Sequence, residues 1–160
     1  MSRFLASMAA CSLGIGCASN PVAPDPMPSI SVLRAAPTTV TLSGETLRLV
    51  PYVYRDFQPV SPPDGRAMIA VLHVQATGGS AFPTGVRVES AWVVFGQEVW
   101  TASVEEGAGV QPGSPMGEWV IRNGPKWGPG VNVDVIVALR TSTGSTSLLR
   151  APDQLIQRTD

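Results

Sequence analysis

Three features of the sequence predict an all-β domain folded as a two-sheet sandwich. Apolar and polar residues alternate in short runs, turn residues recur about every ten positions, and no stretch carries the period of an amphipathic helix. Gly (16) and Pro (15) are both abundant in 160 residues, and both interrupt helices and serve turns. Apolar residues make up 44% and charged residues 14%, which is enough to bury a core and too little charge for a disordered chain. A jelly roll or a small β-barrel satisfies the same pattern and is the alternative fold.

The strands follow in order. Residues 38–42 alternate first and turn at Ser43-Gly44 into residues 46–54, where Leu47, Leu49 and Val53 share a face. Pro51 has no amide to donate to a ladder, so this strand is expected at an edge or a bulge. A proline-rich loop runs from Asp56 to Gly65. Residues 67–76 are apolar on both faces and read as a central strand. Residues 86–95 and 98–105 form the clearest hairpin, closed by Gly96-Gln97 in a type II′ turn. Residues 107–117 read as a flexible connection and 118–122 as a short strand. From Val131 to Leu139 every second residue is apolar, which predicts one buried face and one mainly solvated face. Residues 145–150 and 155–158 complete about seven or eight strands. This architecture, from Thr38 to Arg158, resembles bacterial immunoglobulin-like domains, without the paired cysteines or tyrosine corner of antibody domains.

Ahead of the domain, residues 1–16 have a short basic start, an apolar stretch too short to span a bilayer, and small residues at the end, the layout of a secretory leader. Gly14-Ile15-Gly16-Cys17 closes it. That tetrapeptide resembles the lipobox of bacterial lipoproteins, although Leu13 stands one position early and Gly14 occupies the usual leucine position. The resemblance implies a lipid-modified Cys17 as the mature N-terminus, and each buried acyl methylene contributes about 0.8 kcal/mol to the anchor. Ala18 stands where an inner-membrane retention aspartate would stand, which by the same resemblance points to the outer membrane. An ordinary secreted protein cut after Ser19 is the plainer alternative. Residues 17–37, with prolines at 21, 24, 26, 28 and 37, read as a semi-rigid tether, unless Ile30, Val32 and Leu33 dock as a first edge strand. Residues 38–160 are the domain. Both cysteines lie within the first 17 residues, so its stability comes from packing rather than a disulfide.

Composition narrows the function classes. The formal charge is −1; removing Arg3 with the leader leaves 10 basic against 12 acidic side chains, or −2. With one lysine, Lys126, and scattered arginines, no basic patch for a nucleic-acid backbone is visible. No nucleophile elbow, phosphate loop, dinucleotide fingerprint or calcium loop occurs, so no enzyme activity and no cofactor is expected. His73, the single histidine, is a candidate base or metal ligand, and Asp56, Asp64 and Asp134 are carboxylates that would have to reach it through the fold. Glu89, Glu98, Glu105, Glu106 and Glu118 read as solvated.

The hairpin is the oddity. Tight pairing sets Trp92, Val94 and Val99 on one face and Val93, Phe95, Trp100 and Ala102 on the other, so both faces are apolar. Either one tryptophan is exposed as a binding platform, or a bulge or the tether covers the second face. Trp127, in a loop flanked by proline and glycine, is the better exposed candidate, with Trp92 and Trp100 behind it. The expectation is a non-catalytic envelope module that binds membrane lipid through acylated Cys17 and a protein partner through its loops or sheets. Carbohydrate or small-ligand binding through those tryptophans, and protease inhibition by the 58–65 loop, are the alternatives.

Overall fold

Leu47, Leu49 and Val53 alternate with Arg48, Val50 and Tyr52, and a chain of that period buries one face only by lying in a sheet. The computed structural model describes residues 27–160, apart from the side chains of Glu106 and Ala108. The expected leader, Cys17 and the first part of the tether lie outside the described residues. A short helix α1 (Ile30–Ala35) precedes ten strands: β1 (Thr39–Leu42), β2 (Glu45–Asp56), β3 (Met68–Ala76), β4 (Arg87–Phe95), β5 (Glu98–Ala102), β6 (Val104–Val110), β7 (Met116–Gly124), β8 (Asn132–Arg140), β9 (Thr146–Leu155) and β10 (Gln157–Thr159).

The strands form two sheets. One runs β1-β2-β3-β7-β6, with β10 added in parallel to β2, and the other runs β5-β4-β8-β9. Their facing surfaces enclose one core, which includes Leu72, Val74 and Ile121 from the first sheet and Val135, Val137 and Leu149 from the second. The two-sheet sandwich expected from the alternation is the observed architecture.

Pro51 sits as its chemistry demands. β1 pairs with residues 45–48 of β2 and β10 with residues 54–56, so Pro51 occupies the gap between them on the same edge, where no ladder needs its missing N–H. The hairpin also forms in the expected register, with Phe95 opposite Glu98 and Val93 opposite Trp100. Gly96 takes φ 57°, and Gln97 does not share its positive φ, as a type II′ turn requires.

Several expectations are corrected. Residues 30–35 are helical, not an edge strand or free tether, so the packed unit begins before residue 38. The Ser29 hydroxyl caps the helix by accepting from the Val32 amide, and Pro37 forces Ala36 into extended backbone that ends it. A six-residue helix is too short to hold itself together or to display a period. It is held by packing: Leu33 is fully buried against Trp92, Val94, Ile136 and Ala138 on the outer face of the second sheet. For the same reason Ile136 and Ala138, expected on a solvated face, are buried. Arg34 donates to the Gly96 carbonyl at 2.6 Å and approaches Asp134 at 3.6 Å, while the Arg150 amide donates to the Pro37 carbonyl at 2.8 Å.

The expected connection at 107–117 is strand as far as Val110. The chain leaves the second sheet at Ser103 and joins the first as β6, with a bulge between Glu106 and Gly109. Near the C-terminus β9 is continuous to Leu155, because Pro152 and Asp153 form a bulge opposite Asp134 instead of ending the strand. Asp153 has φ 54° there, and its amide donates to the Asp134 carboxylate at 3.2 Å. The last strand begins only at Gln157. Among the described residues, no helix is long and apolar enough to cross a membrane.

Candidate functional site

A sandwich has two outer faces, and in this chain they differ. The outer face of the β5-β4-β8-β9 sheet is apolar and carries α1. Outward residues of β2 are Arg48, Val50, Tyr52 and Tyr54, and those of β3 are Ile69, Val71, His73 and Gln75. Register lines them up as Arg48 beside Gln75, Val50 beside His73, Tyr52 beside Val71 and Tyr54 beside Ile69. Pairing of β3 with β7 extends the rows to Met116, Glu118 and Val120.

The middle of this face is an apolar and aromatic stripe that no element among the described residues covers. Val50 is 38% and Tyr52 40% exposed, and Ile69, Val71 and Tyr54 are half-buried beside them. The Tyr52 and Tyr54 rings lie 5.2 Å apart at a 31° tilt. Polar pairs border one end of the stripe: Arg48 donates to the Gln75 side-chain oxygen at 3.1 Å, and His73 Nε2 lies 3.1 Å from a Glu118 carboxylate oxygen. The face thus combines an apolar centre of aromatic rings with a hydrogen-bonding margin.

Residues expected to carry chemistry are dispersed. His73 meets Glu118, which sequence reading assigned to a solvated position; the pairing depends on a β3–β7 register linking residues 45 positions apart. Asp56, Asp64 and Asp134 do not reach it. They face Arg66 at 3.4 Å, Lys126 at 2.6 Å, and Arg34 and Arg150 at 3.6 and 3.8 Å. No group of three or more metal-ligating side chains occurs among the described residues.

Of the two alternatives for the hairpin, cover of its second face is the one observed, and Trp127, expected to be the more exposed, is half-buried. Trp92 is 7% exposed, beneath α1 on the outer face of the second sheet. Trp100 points inward, half-buried, its ring so close to Gly124 that a Cβ there would lie 2.7 Å from a ring carbon. Trp127 is half-buried with its ring 5.5 Å from that of Phe95, and its indole N–H donates to Glu98 at 2.7 Å. Both hairpin faces are therefore apolar because both are covered, one by the core and the other by α1.

The 58–65 loop is braced by a residue that sequence reading passed over. Arg55 is 3% exposed at the inward end of β2, and its guanidinium donates to four carbonyls: Arg66 at 2.9 Å, Lys126 at 3.0 Å, Gly128 at 2.6 Å, and Asp64. Arg55 thus ties this loop to the 125–131 loop. The Ser61 amide donates to the Gln58 carbonyl at 2.7 Å, which places Pro59 and Val60 at the corners of a turn and leaves Val60 81% exposed. Phe57 packs under Gly65, where φ is 73° and a Cβ would fall 2.5 Å from the ring.

Hydrogen bonding between Asp64 and Lys126 holds the Asp64 carboxyl below the usual carboxylate range. Comparison with protein-family models, with curated proteins and with solved structures found no match, so the reading of this chain rests on its own residues and geometry.

Proposed function

We propose that the chain is a non-catalytic, lipid-anchored protein of the bacterial cell envelope whose sandwich binds a protein partner through the outer face of β2, β3 and β7. The observation that carries this reading is the stripe of exposed Val50 and Tyr52 with half-buried Tyr54, Ile69 and Val71, which no element among the described residues covers. Tyrosine rings offer large contact area with few rotamers to immobilise, so their exposure on a flat, hydrogen-bonded sheet favours recognition.

The path of the chain supports the same orientation. Residues 27–35 lie on the opposite outer face, so a tether leading back to Cys17 leaves from the side of the molecule away from the stripe. An acylated Cys17 would hold the domain at a membrane while the stripe remains free for a partner. Packing of Trp92, Trp100 and Trp127 withdraws support from an exposed tryptophan platform.

Two measurements in the producing cells test this. Cys17→Ala is expected to abolish palmitate labelling and release the chain to the soluble fraction; unchanged membrane retention refutes the anchor. A photo-crosslinking residue at Tyr52 is expected to give one discrete adduct, and the same residue at Val32 on the helix none. Equal patterns from the two positions refute the binding face.

A further inference from the structure

Where the 58–65 loop meets the start of β3 and the end of β7, a pocket of about 370 Å³ opens. Its rim carries three cations, Arg66, Arg122 and Lys126, and its wall is apolar, built from Pro62, Ala67 and Ile69. Among the described residues, no carboxylate lines it. The fold places the cations there. Arg55 fixes two of them at the backbone, because its buried guanidinium binds the carbonyls of Arg66 and Lys126. The third, Arg122, is carried to the rim by the pairing of β3 with β7, at the irregularity between Met68 and Ala70.

Like charges on one rim repel, and each is steadied by a carboxylate that does not line the pocket. Arg66 Nε lies 3.4 Å from Asp56, Arg122 Nε 3.3 Å from Glu105, and Lys126 Nζ 2.6 Å from Asp64. Arg66 Nε also donates to the Ser61 hydroxyl at 3.2 Å. These contacts engage Nε of each guanidinium, and the terminal nitrogens of Arg66 and Arg122 make no hydrogen bond among the described residues. Lys126 keeps two further N–H donors. With Arg55, whose hydrogen bonds go to carbonyls, four cations face three carboxylates at this end of the sandwich. A carboxylate is served by one guanidinium fork, whereas a phosphomonoester brings three terminal oxygens and about two negative charges, which suits donors arriving from three separate side chains. The pocket is also larger than an inorganic ion needs and falls within the range of organic ligand sites.

We propose that this pocket binds a phosphomonoester, its phosphate oxygens held by Arg66, Arg122 and Lys126 and its organic group resting on Pro62, Ala67 and Ile69. The site is separate from the protein-binding stripe, which it meets at Ile69. A soluble phosphate ester and the headgroup of a phosphomonoester lipid share this chemistry.

The test uses the full chain carrying Cys17→Ser, so that no attached lipid intervenes, and follows its amide resonances during titration with phenyl phosphate and with inorganic phosphate at constant ionic strength. Saturable shifts are expected at Arg66, Ile69 and Arg122, with phenyl phosphate binding more tightly because its ring meets the apolar wall. Arg66→Gln and Arg122→Gln are each expected to weaken binding about tenfold, the worth of one charge-assisted hydrogen bond. Arg48→Gln, at the margin of the stripe, is expected to leave it unchanged, which keeps this site distinguishable from the protein-binding face. Both pocket arginines are half-exposed, and unshifted resonances elsewhere in the sandwich show that the variants fold. Sedimentation with vesicles of phosphatidylcholine and phosphatidic acid, but not of phosphatidylcholine alone, would assign the ligand to a lipid headgroup if both glutamine variants lose it; saturation by phenyl phosphate without sedimentation would assign it to a soluble ester. Shifts that do not saturate, or binding that survives both glutamine substitutions undiminished, overturn the proposal.

Discussion

Arg55 shows how a single side chain can organise a surface without reacting with anything. A guanidinium has five donors in a rigid fork, and here four carbonyls from two loops and the following strand region collect around it. The Phe57 ring adds a face 5.1 Å from the guanidinium carbon. Arg55→Ala is expected to lower unfolding stability by about 2–4 kcal/mol, because it strands acceptors that no neighbour can serve. Arg55→Lys is expected to recover less than half, since an ammonium lacks the fork. Denaturant midpoints with unchanged slopes measure both, and a loss below about 0.5 kcal/mol for Arg55→Ala contradicts the role. A milder effect belongs to Asp64. Its carboxyl is held low by Lys126, so the stability from this pair is present above the ordinary carboxylate range and is lost as pH falls through the depressed value. Because the pair is exposed, the acid sensitivity removed by Asp64→Asn is expected to be small and to shrink further in high salt.

Helix α1 owes its existence to what it covers. With Ile30 and Leu33 facing Trp92, Val94, Ile136 and Ala138, it closes an apolar sheet face that a hairpin with tryptophan on both sides would otherwise expose. Leu33→Ala is expected to cost about 2–5 kcal/mol and to increase binding of a hydrophobic dye, with no loss of sheet signal. Unchanged dye binding and stability would mean that the helix does not seal the face. The elements also show what was legible beforehand. The β4–β5 register follows from Gly96-Gln97, because a two-residue turn sets every pair behind it. Pro51 announced its edge through the donor it lacks. Helix α1 was not legible, since β-branched Ile30 and Val32 favour strand locally and only tertiary packing decides otherwise. The His73–Glu118 pair and the four acceptors of Arg55 were likewise invisible, as each depends on register or loop placement set far along the chain.

At the scale of the whole molecule, the sandwich is polarised. One outer face is occupied by its own N-terminal helix, and the other presents tyrosines and valines between a hydrogen-bonded margin and the loops braced by Arg55. Period-two alternation was sufficient to find both sheets, but it says nothing about which outer face is covered, and that asymmetry is what gives the molecule a front and a back. The most direct test is hydroxyl-radical footprinting of the full chain, purified and again in isolated envelopes. Tyr52, Tyr54 and Val71 are expected to be labelled in the purified protein and protected in envelopes, while Trp92 and Ile136 stay unlabelled in both. Labelling of Tyr52 to the same extent in the two preparations, or strong labelling of Ile136 in the purified chain, would contradict the account.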